Sequence, residues 1–407
     1  MLCCYAVRRA ALLLLCIGAA VSAAADSPYI ARVWEYCPAP GQFVNELPEY
    51  EEDDSPSMMR VKADECLADD AQVMISLGSW GGYVVFGFDH MVENRPGLMD
   101  LQVLGNAFVA NSNPNPDKQG QGGSSEPGIV MVSYDSNANG KPDDPWYELA
   151  GSEYDNPATR HHYTVTYYRT PADHTATPDN DYKYLTDTTY IRWRDSEGGT
   201  GYVSHNSSHT QSYWPIWSDA DSLVFSGTRL PDNYTDESGN GSYYVQYAYR
   251  YGYADNQPNG TVASKLNIEW AVDSTGQSVE LPGIHFVKVY TGVLQYCGWL
   301  GETSTEVLGA ADLHLTGGDE PDTASAKDAL PMAQGKGGLC LLTTLVHDNL
   351  IYTSSVAEQV QVLDRTGQPL FSANTNPGTS YLPCSCLPQG MYLLRTANGE
   401  TRKFIKL

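Results

Sequence analysis

Between Asp135 and Asp144 the sequence DSNANGKPDD places side-chain oxygens at every second position, on Asp135, Asn137 and Asn139, with Gly140 after the third and Asp143 beyond. Alternating oxygens let a short loop wrap a hard cation, and a glycine permits the sharp turn that wrapping requires. The chemistry predicted is coordination of calcium for a structural purpose, pinning carboxylates that would otherwise repel one another. A second reading stands beside it: Asn139-Gly140 makes a tight turn between strands without any ion.

Aromatic residues supply the other chemistry. In SHNSSHTQSYWPIW, Tyr213, Trp214 and Trp217 lie close to His209 and Gln211, and Pro215 with its polar neighbours predicts a loop. Flat rings that bury large area and keep polar tips suit partly polar ligands, so these five residues are the predicted ligand-binding group. From Tyr243 to Tyr253 tyrosines recur at every second position, which predicts one strand with a tyrosine face of mainly structural role. His205 and His209 would converge on a metal only in a helix, and their surroundings are turn-rich. The chain carries no nucleophile elbow, phosphate-binding glycine loop or zinc-protease helix, so no catalytic residue is assigned. Carboxylates are abundant enough for a glycosidase pair, with Glu126 and either Glu148 or Glu153 as the first combination to examine.

These residues need a frame, and the hydropathy pattern predicts an all-β one. Ile129 to Tyr134 reads as a strand covered on both faces, feeding the oxygen-rich loop and returning through Trp146 to Ala150. Further strands are expected at Val73–Leu77, Tyr83–Phe88, Asp100–Leu104, across Leu266, Ile268 and Trp270, and at Ile284–Tyr290. A polar loop is expected from Asn111 to Ser125. One helix is predicted near residue 57, capped by Ser57, with Met59, Ala63, Cys66 and Leu67 on one face. Residues 316–338 have linker composition, which separates a main domain at 26–315, with a Tyr/Trp-rich insertion, from a tail at 339–407. Tail strands are expected at Val360–Asp364, Met391–Thr396 and Lys403–Leu407.

The 407 residues carry 24 Lys and Arg against 49 Asp and Glu, a formal net charge of −25. Such a surface repels phosphate backbones, so nucleic acid is excluded as an expected partner. Residues 1–25 read as a secretory signal: Arg8 and Arg9, an apolar run from Ala10 to Val21, and the small residues Ala23 to Ala25. Cys3, Cys4 and Cys16 would leave with it. Cys37, Cys66, Cys297, Cys340, Cys384 and Cys386 remain, with Cys37–Cys66 a pairing that sequence alone leaves open.

Three resemblances extend these expectations. VQVLDRTGQPLF and LPQGMYLLRTANGETRKFIKL resemble the C-terminal sorting domain of Bacteroidetes type IX secretion cargo, matching at Gly367, Gly390, Tyr392, Arg395, Lys403 and Lys406 and departing at Cys384 and Cys386. That implies a small Ig-like β-sandwich over 339–407 and type IX secretion machinery as partner. GGYVVFGFDHMVENRPGLMDLQVLGNAF, SSEPGIVMVSYDSNANGKPDDPWYELAGSEY and LPGIHFVKVYTGVLQYCGWLGETSTEV resemble a family of secreted Bacteroidetes cell-surface proteins of unassigned activity. This second resemblance implies a jelly-roll-like β-sandwich, with Asp100, Asn106 and Glu126 forming a second polar site near strand ends. It also implies a neighbouring outer-membrane nutrient receptor and a glycan or corrinoid ligand. Finally, the oxygen-rich loop resembles calcium loops of the thrombospondin type 3 and dockerin kind. By position, Asp135, Asn137, Asn139 and Asp143 then supply side-chain oxygens and Lys141 a backbone carbonyl. Trp146 stands where an EF-hand has its bidentate Glu, leaving Glu148 as the substitute. Together these readings predict an exported, calcium-stabilised, non-catalytic surface binding protein. The alternatives are a glycoside hydrolase and a structural coat protein.

Overall fold

The computed structural model describes residues 26–110, 113–118, 120–325 and most of 339–406. The chain divides into two compact units, residues 1–326 and 327–407. Strands in mostly antiparallel sheets dominate both, and the described residues hold two α-helices, Pro56–Leu67 and Leu313–Thr316. The fold is all-β. No helix among the described residues is long and apolar enough to cross a membrane.

The first unit is built on a six-stranded antiparallel sheet. Its strands run, in spatial order, Arg32–Cys37, Tyr83–Glu93, Gly283–Thr291, Gly128–Ser133, Trp146–Leu149 and Ala271–Val272. Apolar side chains leave both faces of its inner strands. Val84, Phe86, Val130, Val132, Val287 and Val289 point into one cluster, with the helix residues Met59, Ala63 and Leu67. On the other face, Ile129 and Tyr290 join Leu230, Tyr253 and Val293. The near-continuous apolar run at 129–132 therefore reflects burial on both sides.

A four-stranded sheet lies beyond, in the order Thr200–Asn206, Leu185–Asp195, Arg160–Tyr168 and Ser222–Arg229. It encloses Trp80, Tyr163, Tyr167, Ile191, Tyr213, Trp214 and Phe225. In this sheet Trp193 is paired with Gly201. A Cβ on Gly201 would stand 2.4 Å from Trp193 Cζ2, so the glycine leaves room for the indole to lie across its neighbour strand.

Several local expectations are corrected. The helix is capped by Ser55, not Ser57: Ser55 Oγ accepts from Met58 N at 3.3 Å, and Pro56 occupies the first turn, where its missing N–H is not needed. The tyrosine alternation is a strand only over Tyr244–Tyr247. Beyond it Asn256 captures the backbone, accepting from Tyr249 N at 2.7 Å and donating to Tyr249 O at 2.8 Å, so the chain turns and Tyr253 enters the core. Lys265–Leu266 is a strand, but Ile268–Trp270 is a 3-10 turn whose Glu269 N is capped by the Asn267 side chain at 2.7 Å. The polar loop after residue 110 contains a further strand, Gly122–Ser124. Residues 316–325 are tied to the first unit through Lys265–Glu320 at 2.6 Å and Trp270 Nε1 to Asp322 at 2.9 Å, while residues 326–338 lie outside the described residues.

Cys37 and Cys66 are free thiols, as are Cys297, Cys384 and Cys386. Cys66 packs on the cluster under the helix and Cys37 on the cluster of the four-stranded sheet, so different packing environments hold them. In the second unit a three-stranded and a five-stranded sheet contribute to one apolar cluster that includes Tyr352, Val362, Tyr392, Leu394 and Phe404. Gly367 and the side chain of Lys403 lie outside the described residues.

Candidate functional site

Three regions carry chemistry in the first unit. The first is the oxygen-rich loop. Asp135 Oδ1 accepts from Asn139 N at 3.1 Å and its Oδ2 from Gly140 N at 2.8 Å, so one carboxylate folds the loop back on itself. Ala138 and Gly140 take left-handed φ of 55° and 68°, which makes the turn. Asn137 and Asn139 direct their amide nitrogens at Asp143 Oδ1, at 3.2 and 3.1 Å, and hold that carboxyl below its ordinary pKa. A half-turn of each terminal amide presents oxygen in place of nitrogen. Asp135, Asn137, Asn139 and Asp143 then make a donor set suited to a hard cation. Lys141 N donates to Asn139 Oδ1 at 2.8 Å, and the Lys141 carbonyl accepts from Asp143 N at 2.9 Å.

Glu148 does not close this loop. It sits on the strand Trp146–Leu149, where Thr228 Oγ1 donates to it at 2.6 Å and burial raises its pKa to about 7. The acidic residue beside the loop is Asp144, which accepts from Asn137 Nδ2 at 3.1 Å.

The second region is a carboxylate triad in which Asp255 and Glu306 are buried and Glu126 is half-buried. Ligand oxygens of Glu126, Asp255 and Glu306 lie within 4.8 Å of one another. Asp255 is organised by the backbone: its Oδ1 accepts from Asn106 N at 2.7 Å and Ala107 N at 2.8 Å, and its Oδ2 from Glu306 N at 3.0 Å. Glu306 Oε1 accepts from Ser76 Oγ at 3.1 Å and from Ser304 Oγ at 2.5 Å. Asn106 Nδ2 reaches Glu306 Oε2 at 3.4 Å. Burial, then repulsion from Glu306, lifts both Glu126 and Asp255 well above the usual carboxyl range. Asn106 and Glu126 thus both approach Glu306.

Asp100 is not with them. It is fully buried elsewhere, accepting from Ile268 N at 2.8 Å and Arg95 N at 3.0 Å, with His314 Nε2 2.9 Å away. The carboxyls of the expected glycosidase combinations each engage other partners: Glu153 accepts from Asn156 at 2.8 Å and Ser152 at 3.1 Å, Glu148 accepts from Thr228, and Glu126 faces Asp255 and Glu306.

The predicted ligand-binding aromatics point inward. Tyr213, Trp214 and Trp217 are buried, and Trp217 stacks near Tyr36 and Tyr50 at centroid distances of 6.2 and 6.1 Å. The reason lies in residues 41–45. Gly41 N donates to Tyr213 O at 2.9 Å, Asn45 Nδ2 to Trp214 O at 3.0 Å, and Ile216 N to Asn45 Oδ1 at 3.1 Å. Gln211 donates to the carbonyl of Gln42, and His209 meets the Phe43 ring edge-on at 4.6 Å. With its backbone anchored in this way, the loop buries its rings as core.

The third region is a cavity of about 100 Å³ that the sequence did not signal. Trp193 and Tyr202 of the four-stranded sheet line it, with Trp80 and the segment Val293–Tyr296 and Glu302–Thr303. Tyr202 is 45 % exposed, which places an aromatic ring at the solvent side. Tyr296 and Glu302 face each other as a bridged antiparallel pair across the tight turn Gly298–Leu300, so their side chains leave the same face. Glu302 Oε1 accepts from Gln42 N at 2.6 Å. Glu302 Oε2 and Tyr296 OH are buried without a hydrogen-bond partner among the described residues. Burial raises the Glu302 carboxyl to about 8, against the opposing Gln42 N–H. The sequence holds a faint sign of this hairpin, since Tyr296 and Glu302 bracket CGWLG, but nothing in it pairs them with Trp193.

No family model and no curated protein matches this chain. Among solved structures it is similar to a biofilm-associated protein BSP domain, at 12 % identity and a TM-score of 0.15, covering 74 % of this chain and 53 % of that one. It is also similar to a Faecalibacterium prausnitzii β-glucuronidase, at 10 % identity and a TM-score of 0.14, covering 80 % and 46 %. The chain spans about half the length of each of these structures.

Proposed function

We propose that this chain is an exported, non-catalytic binding protein of the cell surface that captures a nutrient ligand, a glycan or a corrinoid, outside the cell. The observation that carries the reading is the aromatic-lined cavity with two unpartnered polar atoms, Tyr296 OH and Glu302 Oε2. Ligand sites combine apolar and aromatic walls with a few convergent polar groups, and this cavity has that composition. Export is supported by the signal-like residues 1–25 and by the likeness of 339–407 to type IX sorting domains. The partners proposed are accordingly the type IX secretion machinery and an outer-membrane nutrient receptor. Calorimetry of the secreted chain against cyanocobalamin and a panel of neutral and acidic glycans tests the reading. Binding of any one of them supports capture, and silence across the whole panel counts against it.

Calcium is proposed as the structural ion of the loop at 135–144. An ion held there stabilises the folded state in proportion to its occupancy, and at a hundredfold excess over the dissociation constant the linkage is about 2.7 kcal/mol. For a unit of this size that corresponds to a melting temperature lower by roughly 5 °C in chelator. Melting that is the same in calcium and in chelator would remove the ion from the proposal.

A further inference from the structure

We infer that the cavity between Trp193, Tyr202 and the hairpin Tyr296–Glu302 is a subsite for the edge of a neutral saccharide ring, with Tyr296 OH and Glu302 Oε2 pairing with adjacent ring hydroxyls. The inference rests on the binding-protein reading above and narrows it to one ligand class.

Three observations lead to this class. First, the two polar atoms leave the same face of one hairpin, and neither has a partner among the described residues. Glu302 is 5 % exposed, so water does not satisfy it freely. A buried polar oxygen without a partner is disfavoured by desolvation, and a ligand that supplies the missing hydrogen bond removes that penalty. Adjacent hydroxyls suit such a pair, because each can donate and accept at once.

Second, the walls are rings. Trp193 lies across Gly201, and Tyr202 stands 45 % exposed at the solvent side. Rings so placed offer flat apolar area to the C–H face of a sugar while the hydroxyls turn to the polar atoms. Third, size and charge exclude competitors. A cavity of about 100 Å³ takes the edge of one ring, not a corrin macrocycle. The chain carries a formal charge of −25, so uronic acids and sulfated sugars are repelled by the net field of the protein.

Within the site, Glu302 Oε1 is already committed to Gln42 N, so the proton of the neutral carboxyl resides on Oε2 and is available for donation. Tyr296 supplies the second donor. Glu306 and the tyrosines 167, 213 and 296 are the titratable groups facing Glu302. None of these tyrosines ionises near neutrality, and the neighbouring carboxyl is itself held up by burial.

The test is calorimetry on the full secreted chain with methyl glycosides of glucose, galactose and mannose, with glucuronic acid and with cyanocobalamin. Tyr296→Phe removes an oxygen that has no hydrogen-bond partner among the described residues, so folding is preserved and melting serves as the control. At least one neutral glycoside is expected to bind, about tenfold more weakly in Tyr296→Phe, the ratio one lost hydrogen bond gives. Glu302→Gln keeps a donor at the same place, so it is expected to bind at pH 7 and to lose the decline in affinity that the wild-type chain shows above pH 8. Glucuronic acid is expected to bind at least tenfold more weakly than the best neutral sugar. A neutral glycoside whose affinity is unchanged in Tyr296→Phe overturns the subsite and leaves the binding-protein reading standing. Binding of cyanocobalamin alone does the same. Silence from every probe overturns both.

Discussion

Glu302→Gln is expected to stabilise the first unit by about 3 kcal/mol at pH 8 and to leave it unchanged near pH 4. The sign follows from burial, which moves the folded pKa from 4.5 up to about 8 while the unfolded chain keeps the lower value. Below the unfolded value both states hold the proton and the group imposes no penalty. As pH rises through the window between the two values, the unfolded chain ionises and the folded chain does not. Stability then falls by about 1.4 kcal/mol per pH unit, until the folded carboxyl ionises as well. An amide cannot ionise, so the variant escapes the decline and keeps the bond from Gln42 N. Relaxation around the ionised group trims the full integral to the figure given. Residual dependence on pH remains from Glu148, whose folded pKa is raised to about 7. Denaturant unfolding followed by tryptophan fluorescence reads this unit alone, because all eight tryptophans precede residue 300. Parallel curves for the variant and wild type from pH 5 to pH 8 would contradict the assignment.

The second large effect concerns Asp255. Asp255→Ala is expected to lower stability by about 4 kcal/mol, and Asp255→Asn by less than half of that. Alanine removes the acceptor of three backbone N–H groups, the buried one of Glu306 and the part-buried ones of Asn106 and Ala107. It also places a residue with no polar side chain at φ 50°, a left-handed backbone that Asp and Asn adopt more readily. Asparagine keeps an oxygen for Asn106 and Ala107, and removes one of the three carboxyl groups crowded together with Glu126 and Glu306. Equal losses in the two variants, measured by the same unfolding assay, would show that charge and not acceptor geometry governs the triad.

Local chemistry was the part of this structure that the sequence made legible. The apolar run at Gly128–Ser133, the long strand from Tyr83 and the oxygen-rich loop between strands are each set by neighbours a few positions apart. The errors arose where a distant group captured the backbone. Asn256 ended the tyrosine strand at Tyr247, and Asn45 folded Trp214 and its neighbours into the core. No periodicity within residues 205–217 reports a hydrogen bond from residue 45. Of the triad only Glu126 was visible, standing out with its neighbour-to-be Asn106 by resemblance, while Asp255 and Glu306 enter from segments far along the chain. The cavity was hidden for the same reason, because Trp193 and Glu302 belong to elements with no shared pattern.

The arrangement of the six-stranded sheet also bears on how the first unit comes into being. The strand Gly283–Thr291 lies between Tyr83–Glu93 and Gly128–Ser133 and pairs with both. Until it arrives, those two strands have no bridge, and closing so long a loop is entropically slow. Assembly of this core is therefore a late, all-at-once event, on the millisecond-to-second scale of sandwich proteins rather than the microseconds of helical bundles.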